Sequence, residues 1–314
     1  MQVDRERVLR DLTFWLRPDF VVRCLRRFQA LEGFDRAIAL ASLCFSALIP
    51  LAIVTGGILS GQDPGSELVS RYGLEGKGAS AVVELFDKGD DLSSGFSLFS
   101  AFLLLVTILG FSRAVQRLFE RTWQLEPLSV RNTKNGLVWV GGLIVYSTVA
   151  GFLRVQFDSG LMEILTAAAL VVAALVFVVW SGEILTNHRV TRRQMMPAAI
   201  LVVALGTLFA IGGDIYVPRL FNSYAERYGA LGAVFAMISW LFVLMVALVA
   251  AVAVGREVWA ELEAINRGDR PSNEQIEAEW ATVRAQMDEG RTQVSRRARA
   301  VRERVAGWRA SRTK

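Results

Sequence analysis

Histidine is nearly absent from this chain. His188 is the only one among 314 residues. One imidazole cannot build a multi-histidine metal site, and no HExxH or zinc-hydrolase cluster occurs, so metal-hydrolase and metal-nuclease chemistry lack a ligand set. Cysteine is almost as scarce: Cys24 and Cys44 lie in apolar surroundings with no CxxC spacing, and are read as buried small hydrophobes. The chain also lacks a Walker loop and a GxSxG elbow. No catalytic residue, metal or cofactor is therefore expected, and the chain is not read as an enzyme. An ATP-driven pump would need its nucleotide site on another chain. Lysine is rare, with 4 against 31 arginines, and 7 prolines with 26 glycines argue against a fibrous or low-complexity chain. No cleavable signal peptide is read. The first 36 residues carry 14 charges, and the first apolar run, too long for a signal h-region, is expected to act as an uncleaved anchor.

The most informative absence is of charge. Six long stretches hold no Asp, Glu, Lys or Arg: Ala37–Gln62, Leu92–Ser112, Asn135–Leu153, Ile164–Gly182, Gln194–Gly213 and Tyr228–Gly255. The shortest would make about 28 Å of helix, close to the ~30 Å hydrocarbon core of a bilayer. In hydrocarbon every backbone N–H and C=O must be paired within its own segment, so each run is expected to be a helix, and the ten-residue alternation of a β-barrel is missing. The fold expected is all-α: a polytopic membrane bundle of six transmembrane helices (34–262), an amphipathic helical segment before it (1–33) and a charged helical or partly disordered tail after it (263–314). With six spans and the N-terminus inside, the inner segments hold 29 Lys and Arg against 6 in the outer loops, which predicts both termini in the cytoplasm. The first outer loop, 63–91, is acidic.

Both flanks are amphipathic. Val8, Leu12, Trp15 and Leu16 form one helical stripe ahead of Pro18. Beyond it Val21, Cys24, Leu25 and Phe28 share a face, with Arg23, Arg26 and Arg27 opposite. Such a helix is expected either in the headgroup layer, with arginines near anionic phospholipid headgroups, or against the ends of the bundle. In the tail, Glu274–Glu289 is acidic, whereas Arg291–Lys314 carries nine basic residues and one acidic, with Val294, Ala298, Val301, Val305 and Trp308 at helical spacing. The basic half could lie on the membrane, pair with the acidic half or bind an acidic envelope partner. Nucleic acid is not an expected partner, because no motif accompanies the charge.

Within the spans, polar and flexible positions are the candidates for a substrate path. Pro50 interrupts the first run and can kink it, with Gly56 and Gly57 following. Ser42 and Ser46, one turn apart, either line a path or bond back to their own helix. Ala247, Ala251 and Gly255 on the last run, and Gly206 and Ala210 on the fifth, are spaced for close helix packing or for a homo-oligomer contact. At the membrane edges stand Arg113 and Arg117, Glu183, Arg256 and Glu257 on the inner side. Arg154, Asp158 and Asp214 stand on the outer.

Several stretches together resemble the YihY/BrkB family of bacterial inner-membrane proteins. Phe34–Gly61, with its serines and Pro50, is similar to the family's opening span. GFSRAVQRLFERTWQLE at Gly110–Glu126 resembles its inner motif of basic residues followed by a tryptophan, matched by Arg113, Arg117, Arg121 and Trp123. NHRVTRRQMMP at Asn187–Pro197, which contains Arg192 and Arg193, resembles the basic loop before the fifth span, and YGALG with Trp240 the sixth. The family's Gly-Ala-Glu appears here as Gly255-Arg256-Glu257. The resemblance covers residues 30–262. It implies a six-helix envelope protein in the cytoplasmic membrane, and associations with virulence, serum resistance and movement of envelope lipids. The family's old label of ribonuclease BN finds no support in a chain with one histidine.

The function expected is translocation of a lipid or another amphipathic envelope component, with Arg113, Arg117, Arg192 and Arg193 attracting phosphate headgroups. A small-solute or ion permease, or a scaffold recruiting partners through its tail, are the alternatives.

Overall fold

The computed structural model describes residues 17–58, 94–128, 133–156, 160–269 and 274–282 without 277, together with 69, 76, 79, 80 and 83. Among these residues there is no strand. The elements are α1 (Pro18–Ala30), α2 (Gly33–Ile58), α3 (Ser94–Thr122), α4 (Thr133–Gln156), α5 (Gly160–Leu185), α6 (Arg192–Tyr228) and α7 (Ala230–Asn266). Five segments among the described residues are long and apolar enough to cross a membrane: Phe102–Thr122, Thr133–Leu153, Ile164–Leu185, Arg192–Gly213 and Leu231–Asn266. Helix α2 carries the first expected span through Pro50 to Ile58, and residues 59–62 lie outside the described set. The N-terminal stripe Val8–Leu16 and the basic tail Arg291–Lys314 also lie outside it.

The chain divides into two compact units, Arg27–Ala260 and Met1–Arg26 with Glu261–Lys314. Within the larger one, α2 packs along α3, α4 along α5 and α5 along α6, with α3 also meeting α4 and α5. Its main core gathers Leu40, Leu118, Leu185, Val190, Met195, Val249 and Val252. Most of these lie near the helix ends that carry Arg113–Arg121 and Arg189–Arg193, called the basic end below. Further from it, α4 and α5 expose Ile144, Val145, Ile164, Val172 and Val176. Exposed aliphatic side chains along an apolar helix are what a hydrocarbon surround requires.

Helices α3, α6 and α7 run well beyond their charge-free stretches, α7 past Gly255 to Asn266. The fifth run ends at Gly213, yet α6 continues unbroken through the expected outer loop 214–227 to Tyr228. At 37 residues it is about 55 Å long, well beyond the ~30 Å core. Charge ends a membrane span but not a helix, because helical hydrogen bonds persist in water when a face is packed. That face is supplied by Val217, Phe221 and Ala225 of α6 against Ala233 and Ala236 of α7, with Val69 and Ala79 covering them. Likewise α3 continues past Ser112 to Thr122 and carries Arg113, Arg117 and Arg121 on its last turns.

The α6–α7 hairpin turns at Gly229, whose φ of 60° needs a residue without a Cβ. Gly232 lies on the backbone of Tyr224, Gly213 on Trp240, and Gly255 on the backbone of Ala198. These contacts run in opposite order along the two helices, so the pair is antiparallel and approaches closely at these three places. Thr191 starts α6 with a capping box: its side chain accepts from Gln194 N, while Gln194 Oε1 accepts from Thr191 N at 3.0 Å.

Candidate functional site

Three polar side chains follow one another down the inner face of α3. Ser112, Gln116 and Glu120 stand four residues apart, on one helical face, and all are buried. Gln116 Nε2 donates to Glu120 Oε1 at 2.8 Å. The same oxygen accepts from Leu128 N at 3.0 Å and from Arg189 Nη2 at 3.2 Å. Arg189 also donates to the Glu126 carbonyl at 2.7 Å and to the Thr186 carbonyl at 3.0 Å. One carboxylate thus ties the end of α3, the segment after it and the α5–α6 turn into a single knot. Asn187 and His188 make that turn with φ of 55° and 61°. The far end of the seam differs, because Ser112 Oγ is enclosed and has no hydrogen-bond partner among the described residues. Gly136 of α4 leaves room beside it, since a Cβ there would come within 3.0 Å of that oxygen.

Neighbouring contacts fix α4 and α5 around the seam. Trp139 Nε1 donates to Ser181 Oγ at 2.8 Å. Asn135 Nδ2 donates to the Ile184 carbonyl at 3.0 Å and to Asn187 Oδ1 at 3.2 Å. Glu183 receives Arg192 Nε at 2.7 Å, with His188 Nδ1 at 3.3 Å from its other oxygen.

The outer flank of α3 is cationic. Arg113 donates to Thr133 Oγ1 at 2.9 Å, and Arg117 and Arg121 follow at one-turn intervals, all exposed. Arg121 Nη1 and Arg36 Nη2 both approach Glu32 Oε2, at 3.3 and 3.8 Å. Arg36, one residue ahead of the first charge-free run, is held below the usual arginine range by burial and then by the Arg121 guanidinium, with Glu32 opposing. Positive charge therefore exceeds negative charge along this edge.

Of the residues singled out from sequence, Arg113, Arg117, Arg192 and Arg193 gather at the basic end and are exposed. Trp123 sits against Phe119, edge to face, with its indole N–H enclosed and without an acceptor among the described residues. Glu257 is buried and receives Arg27 Nε at 2.7 Å. Ser42 and Ser46 lie on an exposed face of α2, and the Ser46 hydroxyl donates to the Ser42 carbonyl at 2.8 Å. Pro50 is helical, and its side chain lies outside the described set, as do those of Arg154, Asp158 and Asp214. Among the small residues, Gly255 and Ala251 are buried, Ala247 is half-buried, and Gly206 and Ala210 are exposed. A Cβ on Gly206 would meet nothing within 4 Å.

In the smaller unit, Glu261 Oε2 binds Arg17 Nη2 at 2.5 Å and Arg23 Nη2 at 2.6 Å, and it is sealed from solvent. Arg23 and Arg27, placed by the sequence either in the headgroup layer or against the ends of the bundle, are each engaged by a glutamate of α7. Val21 and Leu25 of the apolar face remain exposed.

Sequence reasoning missed the Ser112–Gln116–Glu120 seam. Its signal was the four-residue spacing from the end of the second run, masked by the arginines one position further on, which lie on a neighbouring face. No group of three or more His, Cys, Asp or Glu able to hold a metal occurs among the described residues.

Residues 24–276 match the family described as Virulence factor BrkB. A UPF0761 membrane protein of Stenotrophomonas maltophilia is 26% identical over 239 residues, covering 70% of this chain and 56% of that protein. A UPF0761 membrane protein of Xanthomonas campestris is 24% identical, covering 69% and 55%, and one of Xanthomonas oryzae is 23% identical with the same coverage. The chain spans somewhat over half the length of these curated relatives. No solved structure matches. The matched residues include α2 to α7 entire, with the seam, the arginine edge and the apolar helices that enclose them, and the chain belongs to the Virulence factor BrkB family of integral membrane proteins.

Proposed function

We propose that this protein sits in the bacterial cytoplasmic membrane with its basic end and both termini inside, and translocates a lipid or another amphipathic envelope component. The observation that carries this reading is the seam of Ser112, Gln116 and Glu120, buried along α3 beside an exposed arginine edge. Polar side chains inside an apolar bundle are costly, and where they persist they commonly mark a path for polar cargo. An amphipathic substrate needs both features. Its headgroup phosphate is attracted to Arg113, Arg117, Arg192 and Arg193, while its tails stay against the exposed aliphatic faces of α4 and α5.

A small-solute permease is the second reading, and the Ser112 hydroxyl beside Gly136, unpartnered among the described residues, favours it. Reconstitution separates the two. Purified protein in liposomes is expected to speed the flip of a fluorescent phospholipid. Uptake of small polar solutes with no lipid flip would favour the permease.

A further inference from the structure

Helix α7 turns one stripe toward the core: Met245, Val249, Val252 and then Arg256, at intervals of four, three and four residues. The first three are buried members of the main core. The next place on that stripe calls for an apolar residue and holds a guanidinium instead. From Ala251 to Glu257 most of the helix surface is enclosed, with Gly255 lying on the backbone of Ala198. Arg256 is half-buried, and its Nε and Nη1 are enclosed without a hydrogen-bond partner among the described residues.

The neighbouring carboxylates are already used. Glu257 accepts from Arg27, and adjacent helical residues point about 100° apart, so it does not face Arg256. Glu261, one turn further on, accepts from Arg17 and Arg23. An arginine cannot shed its proton to escape the cost of an enclosed charge. A guanidinium whose enclosed N–H groups find no partner among the described residues calls for an anion.

We propose that Arg256 is the binding group of an oxyanion site at the basic end of α7, and that its ligand is a phosphate group, either of an anionic lipid or free in solution. The site stands whether or not the protein translocates lipid. Planar N–H donors held in an enclosed setting suit a tetrahedral oxyanion and bind it more strongly than an exposed arginine would.

The test uses the full chain in a maltoside micelle, which contains no phosphate. Thermal unfolding is followed on adding phosphatidylglycerol, phosphatidylcholine, or inorganic phosphate against chloride at equal ionic strength. Wild type should be stabilised by phosphatidylglycerol more than by phosphatidylcholine if the site takes a lipid headgroup, or by inorganic phosphate if it takes the free ion. Arg256→Ala and the stem-keeping Arg256→Gln should need about ten-fold more ligand or more for the same shift. Arg267→Ala, an exposed control, should respond as wild type. The proposal is overturned if wild type responds to none of these, if both Arg256 variants respond like wild type, or if Arg267→Ala loses the response equally.

Discussion

Glu120 and Arg189 are 69 positions apart and meet at 3.2 Å in the basic end, the carboxylate almost wholly buried. Each also satisfies backbone groups of the connecting segments, Leu128 N and the carbonyls of Glu126 and Thr186. Removing Arg189 leaves the buried Glu120 charge without its partner, which costs about 3–5 kcal/mol, while removing Glu120 leaves a more open Arg189 and costs less. Arg189→Ala should therefore lower the thermal midpoint of the detergent-purified protein sharply, and Glu120→Ala should lower it less. The double change Glu120→Leu with Arg189→Leu should recover part of the loss. A double variant no better than the sum of Glu120→Leu and Arg189→Leu made singly would mean that the pair acts independently.

Gly255 and Gly206 look alike in sequence and differ in setting. Any Cβ at 255 collides with the Ala198 backbone, while one at 206 meets nothing. Gly255→Val should push α6 and α7 apart and cost about 1–3 kcal/mol or more. Gly206→Ala should stay within about 0.5 kcal/mol, as surface changes do. Unfolding midpoints of both variants in one detergent check this. Equal losses would contradict the hairpin register. If Gly206 instead changes oligomeric size by light scattering, its face is a contact between copies.

The capping box at Thr191 gives a milder expectation. Thr191→Ala removes the acceptor for Gln194 N at the start of α6 and should cost about 1 kcal/mol. Gln194→Ala removes the reciprocal bond and should cost less. Amide exchange at residues 192–195 should quicken in both, without change at the α6–α7 turn.

Glu257 holds Arg27 at 2.7 Å and is buried, whereas Arg27 is more open. Arg27→Ala should be destabilising, and Arg27→Lys should recover only part of the loss, because an ammonium lacks the planar donor set. Wild-type stability in Arg27→Lys, read by unfolding in detergent, would contradict a directed role for the guanidinium.

The helical class and the apolar runs were legible because bilayer thickness imposes a length and charge imposes an edge. Helix ends were not, since α3 and α6 continue past their last charge-free residue wherever a packed face remains. The exposed arginines at 113 and 117 could be read from sequence, because cationic edges follow local composition. The knot at Glu120 could not, because its partners come from the distant turn at Arg189. The buried pairing of Glu257 was hidden for the same reason: a carboxylate at a span edge looks identical whether it faces water or Arg27.

The proposed movement of an amphipathic, phosphate-bearing molecule would run along the α3 seam and the arginine edge. Its most direct test is flip of a fluorescent phospholipid in liposomes carrying the purified protein, read as the fraction of label open to a membrane-impermeant quencher. Wild type should scramble the label faster than protein-free liposomes. Gln116→Leu, which fills the seam, and Arg113→Ala with Arg117→Ala should each slow it several-fold while the protein stays folded. Wild-type flip no faster than that of empty liposomes, across neutral and anionic labelled lipids, would contradict the account.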